Sequence, residues 1–296
     1  MIIYGGTLKG LLEKARTERY AIPHFNYSDV WDFMAIVEAA EEAEAPVIVA
    51  AIPRVINGIG RSLCASLGSI GMAGSRVPAV HHLDHATNAE YCFWAIDAGY
   101  PSVMIDASMC SLEENIKVTK QVVEYAHKRG VHVEAEIGQV PAGKDAGAEL
   151  SAGDAPANTA TLKDQLVNPE EAAELVKQSG VDSLAIGIGT AHGFYKSTPK
   201  IDYERLAKVR SLVDIPLVLH GGTGIPEEAV QRAIREGIAK VNIGTIIRSV
   251  YLTNLGEAIK NMDPAEHTVD IQAAIRPKVK AEIKDWIRIC MAAGKA

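Results

Sequence analysis

The chain is most informative first in what it does not contain. Its 296 residues include four cysteines, Cys64, Cys92, Cys110 and Cys290, with no CxxC pair and no regular spacing. That argues against a disulfide framework, and the simplest reading is reduced thiols in a cytoplasmic protein. Positive charge is not in excess: the formal net charge is −7, which argues against nucleic acid as a partner. No apolar run reaches the length of a membrane span, so no membrane association is expected. The opening residues Met1-Ile2-Ile3-Tyr4-Gly5-Gly6 lack the basic and apolar regions of a signal peptide, and none is expected. No linker divides the chain and no solenoid repeat is present. The expectation is a single domain over residues 1–296, long enough to bury a substantial core.

What is present is an alternation of strand and helix signals. Strands are predicted at Tyr20–Phe25, Pro46–Ala51, Ala79–Leu83, Ser102–Asp106, Val131–Ile137, Ser183–Gly187, Ile215–Leu219 and Ala239–Ile243. Helices are predicted between them, one of them over Ile56–Met72, and Pro169 is expected at the first helical position behind Asn168 as cap. A helical extension over about 264–296 ends the chain. Strands that alternate with helices form parallel sheets, because parallel strands need crossovers. Eight such units fit an α/β fold of the (β/α)8 TIM-barrel type with an additional C-terminal helix. An open doubly wound sheet is the alternative. The Ala-, Gly-, Asp- and Pro-rich segment 138–168 is too long for an ordinary connection and is expected to be an active-site lid.

Three histidines, His85, His192 and His220, follow apolar strand-like runs and open Gly- or Ala-rich loops. In a barrel the C-terminal strand ends surround one site. Three imidazoles converging there can hold a divalent ion with one side open, as catalysis requires. Zn²⁺ suits them best, with Co²⁺ and Mn²⁺ as alternatives. Asp84 adjoins His85. It is either a general acid/base or a carboxylate that orients an imidazole. On an extended strand the two neighbours would point to opposite faces. Glu134 and Glu136 share a face by the period of two, and Asp106 ends the fourth strand. The segments His220-Gly221-Gly222-Thr223-Gly224 and Asn242-Ile243-Gly244-Thr245 run into helices, where exposed N–H groups attract phosphate. Thr223, Asn242 and Thr245 add donors, and Lys196 adds a cation.

These motifs, in their order, resemble the class II, metal-dependent ketose-bisphosphate aldolases. The resemblance rests on His82-Leu83-Asp84-His85, Ser102–Ser108, Val133–Gly138, Gly189–Lys196, Leu219–Gly224 and Lys240-Val241-Asn242, and it covers essentially the whole chain. It implies reversible cleavage of a phosphorylated ketose, such as fructose or tagatose 1,6-bisphosphate, to dihydroxyacetone phosphate and an aldehyde. It implies that His85, His192 and His220 bind zinc and that Asp84 exchanges a proton with the C4 hydroxyl. Glu136 matches an alternative metal position, and Asp106 is a further metal candidate. The substrate-binding set is Asn26, Gly193, Lys196, Gly221, Gly222, Thr223, Asn242, Gly244 and Thr245. A monovalent cation, Na⁺ or K⁺, near the phosphate and a homodimer or homotetramer are also implied. Arg276 and Lys278 are candidates for a reach between subunits.

The sequence departs from the family in three places. The loop after the fifth strand lacks the family's acidic pair, leaving Asp145 and Glu149 as candidates for the C3 proton transfer. Ala51-Ile52-Pro53-Arg54 stands where many members carry a serine, and Gly244 where some carry an acidic residue. The departures concern the distal end of the substrate, where a carboxylate or sulfonate would replace the phosphate in an analogue. A metal-dependent TIM-barrel hydrolase is the rival enzyme, although Ile22-Pro23-His24-Phe25-Asn26 lacks the His-x-His such enzymes carry on strand one. A non-catalytic sugar-phosphate-binding protein is the third reading.

Overall fold

The computed structural model describes residues 7–141, 166–195, 197–260, 262–263 and 267–296. Its strands are β1 (Ile22–Asn26), β2 (Val47–Ala51), β3 (Ala79–Ala86), β4 (Ser102–Ile105), β5 (His132–Ile137), β6 (Ser183–Ile186), β7 (Leu217–Leu219) and β8 (Ile238–Ile243). They pair in chain order into a closed barrel, and β8 joins β1 in parallel through Ile22↔Lys240 to Phe25↔Ile243. Closure rules out the open-sheet alternative. Covered by helices outside and packed side chains inside, strands such as Val47-Ile48-Val49-Ala50-Ala51 are buried along their whole length, as parallel sheets require.

The helices on the outside are α1 (Leu8–Glu18), α2 (Val30–Glu42), α3 (Pro53–Ile59), α4 (Arg61–Gly71), α5 (Ala89–Asp97) and α6 (Leu112–His127). After them come α7 (Pro169–Ser179), α8 (Tyr203–Leu212), α9 (Glu227–Arg235), α10 (Thr245–Lys260) and α11 (Thr268–Ile289). Their starts are written in short polar residues. Asp29 and Asp32 form a reciprocal capping box on α2. Asn168 accepts from the N–H groups of Glu170 and Glu171, with Pro169 in the first turn of α7, so two orphan donors at that terminus are satisfied.

Three local features differ from the sequence expectation. Helix α1 precedes the first strand, capped by Thr7 and burying Leu8, Leu11, Leu12 and Ala15, a spacing that lines one helical face. The helix expected over Ile56–Met72 is two helices, because Gly60 adopts φ +106° and breaks the hydrogen-bond ladder. Strand β3 runs on to Ala86, with its register to β4 shifting between Leu83 and Ala86.

Helix α11 forms the C-terminal extension. It packs on α2 and α10, and the carbonyl of Cys290 accepts from Ala21 N–H at 3.0 Å, just ahead of β1. Arg276 donates to Glu38 of α2 at 3.0 Å, so within the chain this side chain has a partner. No helix among the described residues is long and apolar enough to cross a membrane.

Candidate metal centre and substrate pocket

The irregularity in β3 builds the site. His85 has φ +49°, a left-handed conformation rare for a residue without glycine's freedom. With the shift in register, this turn brings His85 and its neighbour Asp84 to one pocket instead of opposite faces. Strain of this kind persists where the surroundings over-determine it. The carbonyl of the next residue, Ala86, accepts from Asp106 N–H at 2.7 Å.

Of the three histidines, only His220 directly follows its strand. His192 lies six residues beyond β6, and its N–H donates to the Pro141 carbonyl at 2.9 Å. The three rings nevertheless converge. Centroids are 4.8 Å apart for His85–His220, 5.0 Å for His85–His192 and 5.9 Å for His192–His220. One ligand atom from each lies within 4.8 Å of the others.

The outward nitrogens are held by carboxylates. His85 Nδ1 pairs with Asp106 Oδ2 at 2.8 Å, while the other Asp106 oxygen accepts from Ser108 N–H and Oγ. His220 Nε2 pairs with Glu134 Oε1 at 3.0 Å. Of the inward atoms, His85 Nε2 is buried with no hydrogen-bond partner among the described residues, while His220 Nδ1 and Glu136 Oε2 face each other at 3.2 Å and make no hydrogen bond. Buried polar atoms ordinarily have partners, and imidazoles oriented by carboxylates on their far nitrogen are the usual ligands of a catalytic metal. The residues fit a divalent ion. Asp106 acts on His85, yet it also forms a possible oxygen–nitrogen ligand group with His85 and Glu136.

The electrostatics favour a cation. Burial pulls the His85 imidazole down, but Asp84, Asp106 and Glu136 outweigh it and push it up to about 10. Burial, then repulsion from Asp106, raises Glu136 well above the usual carboxylate range. Desolvation lowers His220 to about 3, against the pull of Glu134, which keeps this imidazole neutral and able to ligate. Beneath it, Lys240 Nζ contacts both Glu134 oxygens at 2.9 and 2.8 Å, and both residues are fully buried. Burial alone would raise Glu134, but Lys240 and His220 hold it well below the ordinary value.

Asp84 sits on the other side of the ring cluster. Asn26 Nδ2 donates to its Oδ2 at 2.8 Å, and Asn242 Nδ2 lies 3.5 Å from its Oδ1. Burial raises this carboxyl, and His85, His24 and His220 more than reverse the effect, so it is held well below its ordinary value. His24 contributes at 3.4 Å. An ionised carboxylate at the mouth, with oriented oxygens, can accept a proton from a substrate hydroxyl that is itself acidified.

A pocket opens on Asp84, His85 and His192 and is lined further by Asn26, Gly193, Gly221, Thr223, Asn242, Gly244 and Thr245. Gly221 has φ +70°, and a Cβ there would stand 2.3 Å from the Ala191 carbonyl oxygen; only glycine permits this approach of two loops. Tyr195 bridges the same loops, accepting from Ala191 N–H and donating to the Gly221 carbonyl, both at 2.8 Å. Gly222 is placed differently from its companions. Its N–H donates to the Asn242 carbonyl at 2.9 Å and it does not line the pocket. Lys196, Asp145 and Glu149 lie outside the described residues, as does most of segment 138–168.

Reading the sequence put Glu134 and Glu136 on one face, with one of them reaching the site, and gave no role to Lys240, His24, Tyr195 or Arg248, the last of which also lines the pocket. A lysine inside an otherwise apolar strand, Ile238-Ala239-Lys240-Val241, is the signal that would have found the buried ion pair.

A barrel mouth with convergent imidazoles, a proton-transfer carboxylate and glycine-rich loops defines a metal-dependent TIM-barrel enzyme, and comparison with known proteins selects the chemistry. The profile of the family described as fructose-bisphosphate aldolase class-II matches residues 6–295. The fructose-bisphosphate aldolase of Geobacillus stearothermophilus is 38% identical over 293 residues, 98% of each chain. That of Staphylococcus epidermidis is 36% identical over 287 residues, 95% of this chain and 96% of the relative. Among solved structures, the YdjI aldolase from Escherichia coli K12 superposes with a TM-score of 0.83 at 30% identity, covering 98% of this chain and 99% of that one. The chain belongs to the class-II fructose-bisphosphate aldolase family. It is an aldolase, a carbon–carbon lyase, of a family that is zinc-dependent in general and binds sugar phosphates.

Proposed function

We propose that this protein reversibly cleaves fructose 1,6-bisphosphate, or its C4 epimer tagatose 1,6-bisphosphate, to dihydroxyacetone phosphate and a phosphorylated aldehyde. The observation that carries the reading is the meeting of His85, His192, His220 and Asp84 at one pocket with the loops after β6, β7 and β8. His85, His192 and His220 would hold the zinc ion, with Glu136 at an alternative position and Asp106 fixing the His85 ring. When bound, the ion supplies Lewis acidity that stabilises negative charge developing on the ketose oxygens.

The chain's own groups do the rest. Asp84, oriented by Asn26, accepts the C4 hydroxyl proton as the C3–C4 bond breaks. In condensation it returns that proton. Asn242 Oδ1, buried without a partner among the described residues, is an acceptor for a substrate hydroxyl. Backbone N–H groups of the Gly193, Gly221 and Gly244 segments, with the Thr223 and Thr245 hydroxyls, receive the phosphate of the dihydroxyacetone half. Lys196 and a monovalent cation belong to the same proposal. Asp145 and Glu149, of the segment after β5 that lies outside the described residues, are the candidates for the group that moves the C3 proton.

We place the enzyme in the cytoplasm, on the four free cysteines, as a homodimer or homotetramer. Sedimentation of an active monomer at micromolar concentration would refute the assembly. The function is tested by coupled detection of dihydroxyacetone phosphate with and without chelator. Release that stops on chelation and returns with zinc is the expected result. Full turnover in metal-free protein, or a borohydride-trapped lysine adduct, would overturn it.

A further inference from the structure

Behind Asp84, in the barrel interior, stand two histidines that the reaction does not use. His24 lies two residues before Asn26 on β1, and His82 two residues before Asp84 on β3, so each pair shares a face. Strand β2 runs between them and is registered through Ala50 with both Asn26 and His82. A methyl group at that position leaves the two imidazoles room to meet. Their centroids are 5.4 Å apart with planes at 74°, close to the spacing of the His85, His192 and His220 rings. His24, His82 and Asp84 each offer one ligand atom within 4.8 Å of the other two. His24 Nε2 stands 3.4 Å from Asp84 Oδ2, beyond the usual hydrogen-bond range.

Both histidines are fully buried, and neither nitrogen of His24 nor Nε2 of His82 makes a hydrogen bond among the described residues. His82 Nδ1 lies 2.7 Å from Ser102 Oγ, which fixes the ring and leaves Nε2 as its free ligating atom. Buried imidazole nitrogens of this kind are ordinarily satisfied by water or by an ion. Two neutral imidazoles and a carboxylate suit a divalent transition metal. Burial lowers both imidazoles and the Lys240 charge adds to the effect, so both stay in the neutral form that ligates. The Lys240 ammonium, which would otherwise repel a cation, is held against both Glu134 oxygens. We propose that His24, His82 and Asp84 form a second divalent-ion site whose occupancy inhibits the enzyme. It shares no residue with the His85–His192–His220 set or with the His85–Asp106–Glu136 group. An ion there takes an Asp84 oxygen as ligand and withdraws the carboxylate from proton transfer. That consequence rests on the reading of Asp84 as the base. Zinc then activates at the first site and inhibits at the second.

The test uses wild type, His24→Gln, His82→Gln and His192→Ala, each stripped with chelator, dialysed and titrated with Zn²⁺. Bound metal is read by atomic emission, and a parallel Co²⁺ titration by visible absorption. Wild type is expected to take up two equivalents per chain, and His24→Gln and His82→Gln one each, because loss of an imidazole ligand should weaken the second site about 100-fold. The equivalent that remains shows that these variants are folded. His192→Ala should lose the first equivalent and keep the second. Cleavage of fructose 1,6-bisphosphate by wild type should peak at one equivalent. At the second it should fall by about 10²–10⁴, as loss of a general base gives. Scaled to its own maximum, each Gln variant should show no such fall. A single equivalent in wild type, or a second that persists in both Gln variants, overturns the site. Two equivalents with undiminished turnover overturn the inhibition. No turnover at any zinc level overturns the aldolase reading, while metal uptake still decides the site.

Discussion

Replacing Lys240 with methionine tests how the metal centre is supported from below. The lysine is completely buried, and its ammonium contacts both oxygens of a Glu134 that is 1% exposed. Methionine fills most of the same volume and removes the charge. Glu134 is then left buried with His220 at 3.0 Å and the Ser183 hydroxyl at 3.5 Å as its remaining partners. Removing one member of a buried ion pair costs about 3–5 kcal/mol, because the other charge stays desolvated and uncompensated. With a urea m-value of about 2–3 kcal/mol/M, the midpoint should fall by roughly 1–2 M.

The pH dependence has a definite direction. In wild type Glu134 is held well below its ordinary value of 4.5. Its contribution to stability is therefore present above that value and is lost only as pH falls through the depressed one. In Lys240→Met, burial is no longer opposed by the lysine and the Glu134 carboxyl rises. Protonation then relieves the stranded charge, so the deficit against wild type should shrink as pH falls through the ordinary glutamate range. A second consequence concerns His220. Without Lys240, Glu134 draws a proton onto this imidazole, which must be neutral to ligate, so zinc affinity should drop by about 10–100-fold. The double variant Glu134→Gln/Lys240→Met removes both charges and should recover at least half of the lost stability. Urea unfolding followed by circular dichroism at several pH values, with zinc measured by atomic emission, gives each quantity. A single variant within 1 kcal/mol of wild type, with unaltered zinc affinity, would refute the reasoning.

Three further outcomes are expected. Asp84→Ala should lower cleavage and condensation by about 10²–10⁴ while zinc content and exchange of the dihydroxyacetone phosphate C3 proton with solvent deuterium persist; exchange lost at full zinc occupancy would show Asp84 serving both proton transfers. Asp106→Ala frees the His85 Nδ1 contact of 2.8 Å and should weaken zinc binding by about 10–100-fold, read by competition with a chromophoric chelator; unchanged affinity would leave Asp106 without an orienting role. Gly221→Ala places a Cβ 2.3 Å from the Ala191 carbonyl at φ +70° and should destabilise by at least about 1 kcal/mol and raise KM for the sugar phosphate; wild-type stability and KM together would refute the close-approach argument.

The barrel was legible in the sequence because its signals are local. Apolar runs such as Val47–Ala51, caps such as Asn168 before Pro169, and the strict alternation of the two patterns each occupy a few consecutive residues. The same holds for the candidate site residues that end strands: His220 and Asn242 could be placed by counting from their runs. Helix α1 had a readable face and a Thr7 cap but lay ahead of the alternation. The break at Gly60 turned on one backbone angle.

What only the tertiary structure decided depends on contacts between distant parts of the chain. An extended strand would send Asp84 and His85 to opposite sides. The left-handed turn at His85 and the register shift against β4 bring them together, and such a conformation is held by neighbours and not by local preference. Glu134 and Lys240, 106 residues apart, meet because β5 and β8 face each other's side chains across the barrel interior. Short-range sequence specifies the elements and the residue types available to the site; the closed sheet decides which of them touch, because only its curvature sets their distances.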